Sequence, residues 1–152
     1  MNQTEIRRVT GDEEFAACRA IREAVFVREQ NVPLELEYDE HDATALHLLA
    51  LAGGAPAATL RVMLKDGGAT AKIGRVAVIR EARGTGLGAA LMRAVEAEPS
   101  LGGVRQFVLE AQTHALRFYE KLGYVAEGEE FPDAGIPHRF MRKARPGPLS
   151  PG

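Results

Sequence analysis

The six residues from Arg83 to Gly88, which read Arg-Gly-Thr-Gly-Leu-Gly, are the part of the sequence that most directly indicates ligand binding. Glycines let backbone N–H groups approach an anion without a Cβ in the way. The run follows a strand-like stretch, Lys72 to Ile79, and precedes an Ala- and Leu-rich stretch, Ala89 to Glu98, that is typical of a helix. Because a helix N-terminus carries partial positive charge, the sequence predicts a phosphate-binding site where this helix begins.

Two common kinds of phosphate loop can be compared with this spacing. A nucleoside triphosphate loop ends in Gly-Lys-Ser/Thr, whereas Gly88 is followed by two alanines, so that kind of loop is excluded. Gly84-x-Gly86-x-x-Ala89 satisfies the dinucleotide fingerprint, and Glu110 follows at about twenty residues, as that fold requires. A dinucleotide turn directly follows its strand, however, and here residues 80–83 intervene. The dinucleotide fold is therefore disfavoured but stays open.

Charge is distributed unevenly around this loop. The 152 residues include 19 basic and 21 acidic side chains, a formal net charge of −2, so nothing points to nucleic acid or an anionic membrane as a partner. Between Glu35 and Asp42 there are five carboxylates and no Lys or Arg, whereas Arg75, Arg80 and Arg83 flank the glycines. This polarity suits an anionic cofactor beside a cationic substrate, although two solvated surface patches would give the same pattern.

Other reactive side chains give no sign of a metal or thiol centre. No ligand-like spacing joins His41, His47 and His114, so we expect no metal. Cys18 is the one cysteine of the sequence, and its helical spacing from Phe15 makes it a small core residue. The first eight residues contain no apolar leader segment, and no stretch approaches the roughly 20 apolar residues of a membrane span, so we expect a cytoplasmic protein.

Hydrophobic periodicity predicts the elements that position these residues. A strand over 5–9 is followed by a helix whose apolar face runs from Phe15 to Phe26, and Thr10 and Glu13 have the spacing of a capping box. Strands over 46–51, 57–64 and 70–79 are joined by glycine turns. A second helix over 86–98, with a buried stripe at Leu87, Leu91 and Val95, ends at Pro99.

The last third of the chain alternates between strand and helix patterns. The apolar run Val104 to Ala111 predicts a central strand buried on both faces. A shorter helix follows from about Thr113 to Leu122, with Gly123 as its stop, and a pair of strands over 124–127 and 139–143 completes the domain. The predicted class is therefore mixed-sheet α/β (α+β), one domain over 1–144, with a disordered tail over 145–152.

Three motifs resemble those of the GNAT family of N-acetyltransferases, and their order and spacing along the chain agree with the family's. Arg83-x-x-Gly86-x-Gly88 matches the family's Q/R-x-x-G-x-G/A, and Arg75-Val76-Ala77-Val78 stands where its cofactor-contacting strand is expected. Phe118 to Tyr124 matches F-Y-x-K-x-G-F/Y. The short segments Val25–Pro33 and Gly135–His138 are most similar to the ElaA-like branch.

The resemblance implies the GNAT fold, a mostly antiparallel central sheet flanked by helices, and an acyltransferase that moves an acetyl group from acetyl-CoA to a primary amine by direct attack. Backbone groups of the glycine loop would hold the coenzyme A pyrophosphate, and main-chain groups of the preceding strand would meet the pantetheine arm, with Gly74 consistent with a bulge. The residues expected to bind the cofactor are Val76, Ala77, Val78, Arg83, Gly84, Thr85, Gly86, Leu87 and Gly88.

The same resemblance suggests which side chains move protons. Tyr119 matches the family tyrosine that is aimed at the cofactor sulfur, and it is expected to protonate the leaving thiolate. Glu110, at the end of the predicted central strand, is a candidate for the base that deprotonates the incoming amine. Glu37, Asp39 and His138 are further candidates for the base and are the residues expected to contact the substrate.

Two alternatives stay open. Arg22-x-x-x-Phe26 followed by Glu37-x-Asp39-x-x-Asp42 is similar to the N-terminal pattern of acyl-homoserine lactone synthases, which share the GNAT fold and whose acidic residues engage S-adenosylmethionine. Those enzymes are longer and carry a Trp after the Phe, whereas this sequence has no Trp. If this alternative holds, the expected partner is an acyl carrier protein. The other alternative is a non-catalytic acyl-CoA-binding module. Edge strands of small sheets can pair between copies, so a homodimer is also considered.

Overall fold

A computed structural model describes residues 3–146 of the chain. By its contacts the chain divides into two compact units, one formed by the residues up to Met63 together with Ile73–Glu98, the other by Leu64–Lys72 together with the residues from Pro99 onward. The prediction of a single domain over 1–144 stays a prediction. Most of the tail predicted to be disordered, from residue 147 onward, lies outside the described residues.

The first unit contains most of the helices. In chain order its elements are β1 (Thr4–Arg8), α1 (Asp12–Arg22), a π-helical segment (Glu23–Glu29), the short α2 (Leu34–Glu37), β2 (Leu46–Ala52), β3 (Ala55–Lys65), β4 (Thr70–Val78) and α3 (Leu87–Ala97). The last two residues of β3 and the first three of β4 fall in the second unit. The strands follow the order β1-β2-β3-β4, and β1 and β3 each pair antiparallel with β2.

The second unit is built on three antiparallel strands. Its elements are β5 (Gln106–Gln112), α4 (Leu116–Lys121), β6 (Val125–Asp133) and β7 (Ile136–Ala144), in the strand order β5-β7-β6. The last two strands are longer than the sequence pattern predicts, because Ala134 and Gly135 both take positive φ and close a tight hairpin between them. The seven strands and four α-helices of residues 3–146 are the mixed α/β class that the sequence predicts.

Local structure at Gly11 and at Gly123 accounts for the start of α1 and the end of α4. The first helix has Gly11 as its N-cap rather than Thr10, and Glu14, not Glu13, reaches back to accept a hydrogen bond from the Thr10 N–H at 2.8 Å. The predicted capping box between Thr10 and Glu13 is therefore not formed, because the N-cap is a glycine and has no side chain to accept a hydrogen bond. At the end of α4, Gly123 has φ 98°, and the Tyr124 N–H donates to the Tyr119 carbonyl at 3.1 Å, which confirms Gly123 as the stop.

The core of the first unit joins its helices to the sheet. A cluster that includes Cys18, Ile21 and Val25 packs against Leu49, Leu51 and Ala77. Cys18 has no exposed surface, which confirms it as a core residue, and burial raises the pKa of its thiol. In α3 the predicted stripe Leu87, Leu91 and Val95 is buried. No helix within residues 3–146 is long and apolar enough to cross a membrane.

Candidate active site

The glycine loop leads directly into α3. Gly84 and Gly86 have φ of 78° and 85°, a left-handed conformation that only glycine adopts without strain, and nothing lies within 4 Å of where a Cβ would be at either position. Gly86 is the N-cap of α3. The loop therefore needs these glycines for their backbone conformation and not for space.

The N-terminus of α3 is free to bind an anion. Among the described residues no side chain caps it, and its first turn contains no acidic residue. The first N–H groups of any α-helix have no partner within the helix. The residues from Gly86 to Ala89 thus present donors at the positive end of the helix dipole, an arrangement that fits a phosphate or pyrophosphate.

Side chains of the loop brace its backbone. Arg83 donates from Nε to the Val78 carbonyl at 3.0 Å and from its two terminal nitrogens to Glu29 at 3.0 and 2.6 Å. Arg80 donates to the same carboxylate at 3.0 Å, and these bonds, chiefly those from Arg83, lower the pKa of Glu29. The Thr85 hydroxyl donates to the Ala82 carbonyl at 2.6 Å. The two arginines are therefore already paired with a carboxylate of the π-helical segment.

The strand before the loop contains a local irregularity. Arg75 has φ 52°, whereas Gly74 is not among the residues with positive φ, so the left-handed position lies one residue beyond the glycine. Ala77 is buried, and Val76 and Val78 are half-buried. The main-chain groups of all three residues were expected to be open to the pantetheine arm. The Val78 carbonyl already accepts a hydrogen bond from Arg83.

The acidic stretch forms an internal ion-pair network instead of an open negative surface. Glu37 is 1% exposed and its Oε2 accepts from Arg22 Nε at 2.9 Å and from Arg75 Nε at 2.8 Å. Asp39 accepts from Arg61 at 2.6 and 2.7 Å, which lowers the pKa of that carboxyl to about 2. The geometry thus does not favour Glu37 or Asp39 as contacts for a cationic substrate, since arginines already neutralise both.

The sequence analysis named Arg22 and Arg75 but did not predict that they pair with the acidic stretch, and it did not single out Arg61. Asp42 bridges two of them, accepting from Arg22 at 2.8 Å and from Arg61 at 2.9 Å. Arg22 lies on the predicted apolar face of the first helix, and Arg61 lies within the apolar run of β3. A charged residue at a core position needs a buried partner, so each was a signal that an ion pair would be found there.

Tyr119 lies on α4 in the second unit and is 8% exposed. Its ring makes edge contacts with Phe118 and Tyr124, with centroid distances of 4.9 and 6.1 Å. Burial raises the pKa of Tyr119, so its phenol keeps its proton at neutral pH. The phenol is therefore present in the protonated form that a proton donor requires.

The two base candidates of the second unit differ in their surroundings. Glu110 points outward from β5 with a side chain that is 39% exposed, and its nearest cation is Lys72 Nζ at 3.7 Å. His138 is 8% exposed and stacks on Phe131 at 6.0 Å. Its Nδ1 lies 2.7 Å from the Ile136 carbonyl, which can only accept, so Nδ1 carries the proton and the neutral ring has its lone pair on Nε2. His138 is thus a buried imidazole held in a defined tautomer.

No group of three or more His, Cys, Asp or Glu side chains within residues 3–146 could hold a metal ion.

Comparison with known proteins connects these features to one family. Residues 8–145 match the family model described as an acetyltransferase (GNAT) domain. The chain is 41% identical over 133 residues to the Bacillus subtilis protein named "Uncharacterized N-acetyltransferase YjcF", covering 87% of this chain and 94% of that one.

Solved structures give the same result. An acyl-CoA N-acyltransferase from Pseudomonas aeruginosa is 34% identical with a TM-score of 0.79, covering 95% of this chain and 100% of that one. Escherichia coli ElaA is 28% identical with a TM-score of 0.80, covering 94% and 99%. An aminoglycoside 6'-N-acetyltransferase complexed with coenzyme A and the acyl-homoserine lactone synthase BjaI, at 15% and 17% identity, share the fold alone.

Proposed function

The chain belongs to the GNAT family of acetyltransferases and is an acyltransferase, and from this premise we propose that it transfers an acetyl group from acetyl-CoA to a primary amine by direct attack within a ternary complex. The observation that carries the proposal is the uncapped, acid-free N-terminus of α3, reached through two left-handed glycines. This is a site for a pyrophosphate and needs no basic side chain of its own.

In this proposal the backbone of Arg83 to Gly88 holds the coenzyme A pyrophosphate. The main-chain groups of Val76 and Ala77 form hydrogen bonds with the pantetheine amides. Val78 continues the strand beside the pantetheine arm, and its carbonyl stays hydrogen-bonded to Arg83. Support comes from the donor set, which fits an anion, and from a coenzyme A complex of a protein with the same fold. Acetyl-CoA supplies the activated thioester.

The proposed reaction exchanges a C–S bond for a C–N bond. The neutral amine attacks the thioester carbonyl carbon, the bond to sulfur breaks, and the thiolate takes the proton of the Tyr119 phenol. The nitrogen of the new bond loses a proton to a base. We propose His138 as this base in preference to Glu110, because the tautomer of His138 leaves its Nε2 able to accept a proton. Glu110 is exposed and lies beside Lys72, which makes it the second choice.

Glu37 and Asp39 are not substrate contacts in this proposal. Both are bound to arginines, and Glu37 is buried, so we do not assign either of them a contact with the amine. The same pairing weighs against the synthase alternative, in which these carboxylates would engage the cation of S-adenosylmethionine. The acceptor, a small-molecule or peptide amine, the homodimer and the cytoplasmic location stay predictions.

Thermal unfolding with acetyl-CoA, coenzyme A, S-adenosylmethionine and NAD tests the proposal. A ligand that binds only the native state, at a concentration of 100 times its Kd, stabilises the folded protein by about 2.7 kcal/mol. For a chain of this size this raises Tm by roughly 5 to 10 °C. We expect this shift with both coenzyme A forms and with neither of the other two. A shift with NAD alone would contradict the proposal.

A screen of amines then separates the remaining alternatives. Release of coenzyme A thiol that depends on one class of amine identifies the acceptor. Coenzyme A binding without turnover across polyamines, amino sugars, peptide N-termini and amino acids would favour the non-catalytic module instead. An additional thermal shift with S-adenosylmethionine would favour the lactone synthase.

A further inference from the structure

Arg75 is the residue of β4 at which the strand departs from regular geometry. Its φ of 52° is in the left-handed region, which is unfavourable for a residue with a Cβ, and it directly precedes Val76–Val78. A residue in this conformation turns the following peptide group away from a regular strand ladder. The conformation of Arg75 therefore influences where the main-chain groups of the next residues point.

The Arg75 side chain donates five hydrogen bonds to four acceptor atoms. Nε donates to Glu37 Oε2 at 2.8 Å and to the Glu37 carbonyl at 3.3 Å. The terminal nitrogen donates to the carbonyls of Glu37 and Leu36 at 3.0 and 3.3 Å and to Asp39 Oδ2 at 3.2 Å. The guanidinium thus binds both the end of α2 and two carboxylates.

The carboxylates that hold Arg75 are themselves fixed. Glu37 also binds Arg22 of α1, and both side chains are 1% exposed. Asp39 also binds Arg61 of β3, whose side chain is 5% exposed. Because each of these carboxylates is also bound to a second arginine, the Arg75 guanidinium has one well-defined position. Lysine lacks the planar fork of the guanidinium and cannot form the same set of hydrogen bonds.

We propose that Arg75 is a positioning residue for the cofactor. Its side chain, held by Glu37 and Asp39, keeps the left-handed turn of β4 in place and so aims the main-chain groups of Val76 and Ala77 at the pantetheine arm. The inference rests on the proposed function, because it concerns the same cofactor site. It gives the buried acidic network a role in ligand binding without contact between any carboxylate and the ligand.

Three variants test the proposal. Arg75→Gly accepts the left-handed backbone but removes the side-chain clamp, and Arg75→Lys keeps the charge but loses the fork. Arg61→Lys is the matched control, because it disturbs the same network from β3 and contacts, among the groups that bind Arg75, Asp39 alone, while Arg75 keeps its four hydrogen bonds to Leu36 and Glu37. The Kd for coenzyme A is measured by calorimetry at a temperature where circular dichroism shows each variant to be folded.

We expect both Arg75 variants to bind coenzyme A about tenfold more weakly or worse, because small misplacements of binding groups are costly. We expect Arg61→Lys to lower Tm while its Kd stays within about twofold of wild type. Hydrogen exchange of the Val76 and Ala77 amides without ligand is a second measurement, and it should become faster in Arg75→Gly and not in the control.

The outcomes distinguish this inference from the proposed function. Wild-type protein that does not bind coenzyme A overturns both. Wild type that binds, with Arg75→Gly and Arg75→Lys binding equally well, overturns the positioning role alone. An equal loss of affinity in Arg61→Lys also overturns it, because the effect would then belong to the network as a whole. Should the Arg75 variants not fold, Glu37→Gln, which weakens the clamp from α2, is expected to raise the Kd, and an unchanged Kd contradicts the proposal.

Discussion

Burial decides the protonation state of the residue proposed as the acid. Tyr119 is 8% exposed, and burial raises its pKa. We expect Tyr119→Phe to lower kcat about 100-fold, because the substitution removes the proton but keeps the packed ring. The KM for acetyl-CoA and Tm should stay close to wild type in an assay of thiol release.

Tyr124→Phe is the matched control for this variant. Tyr124 is a buried tyrosine beside the same ring, with centroids 6.1 Å apart, and the proposal gives it no proton to transfer. Its kcat should remain near that of wild type. Wild-type turnover by Tyr119→Phe would show that another group protonates the thiolate.

The stability contributed by Asp39 depends on pH. Its pKa is lowered from an ordinary 3.8 to about 2, chiefly by hydrogen bonds from Arg61. The unfolded chain therefore binds more protons between these two values, so the stabilisation is full above pH 4 and is lost as pH falls toward 2. We expect Asp39→Asn to be less stable than wild type by about 2 kcal/mol at pH 7. Urea unfolding at several pH values should show this difference shrinking below pH 4.

An exposed carboxylate of the same stretch provides the comparison for Asp39. Glu40 is exposed, and Glu40→Gln should change stability by no more than about 0.5 kcal/mol at any of these pH values. A difference for Asp39→Asn that stays constant from pH 7 to 3 would mean that the ion pair with Arg61 is not its source.

At the scale of elements, the loop before α3 depends on the conformation of single glycines. Gly86 has φ 85° with open space around it, so a methyl group would be strained by the backbone alone. We expect Gly86→Ala to lower the free energy of unfolding by about 1 to 2 kcal/mol and to weaken coenzyme A binding. Gly103→Ala, at a glycine with equal space and no positive φ, should change neither quantity. Calorimetry of binding and urea unfolding measure both effects, and undiminished affinity in Gly86→Ala would contradict the proposed site.

Strong periodic patterns predicted most elements correctly. The stripe of α3 and the strands β2 to β5 lie within one or two residues of their predicted bounds, because alternation and helical spacing report which face is buried. The apolar face predicted for the first helix continues to Phe26, whereas Glu23–Glu29 form a π-helical segment in place of an α-helix. Apolar spacing cannot distinguish these two helices over seven residues, since both bury Val25.

The site was predictable where it is made of backbone and not where it is made of distant charges. Glycine spacing indicated the loop before α3, because left-handed turns require glycine. The acidic stretch suggested a surface for a cation, because the sequence shows which charges are neighbours along the chain. It does not show that Arg22 and Arg61 contact Glu37 and Asp39 in the folded unit. Long-range ion pairs depend on topology, which local patterns do not encode.

At the scale of the whole molecule, β6 is an edge strand of the second unit. Among the described strands it pairs only with β7, and nearly all of its residues are exposed. Glu129 and Glu130 place negative charge along this edge, and charges of one sign oppose the pairing of two edges. We expect a Glu129→Gln/Glu130→Gln variant to self-associate more than wild type in sedimentation velocity, most clearly at low salt. Equal behaviour of both proteins would argue that β6 has no part in association.

The π-helical segment has a consequence for comparing this chain with its relatives. It accommodates one residue more than an α-helix of the same length, and Gln30 N–H accordingly donates five residues back, to the Val25 carbonyl at 3.1 Å. Deleting one residue between Glu23 and Glu29 would remove this extra residue and restore an α-helix, with the parts on either side left in place. Relatives that are one residue shorter in these seven positions can therefore keep a carboxylate at the position of Glu29, so a length difference here is compatible with the same brace on the glycine loop.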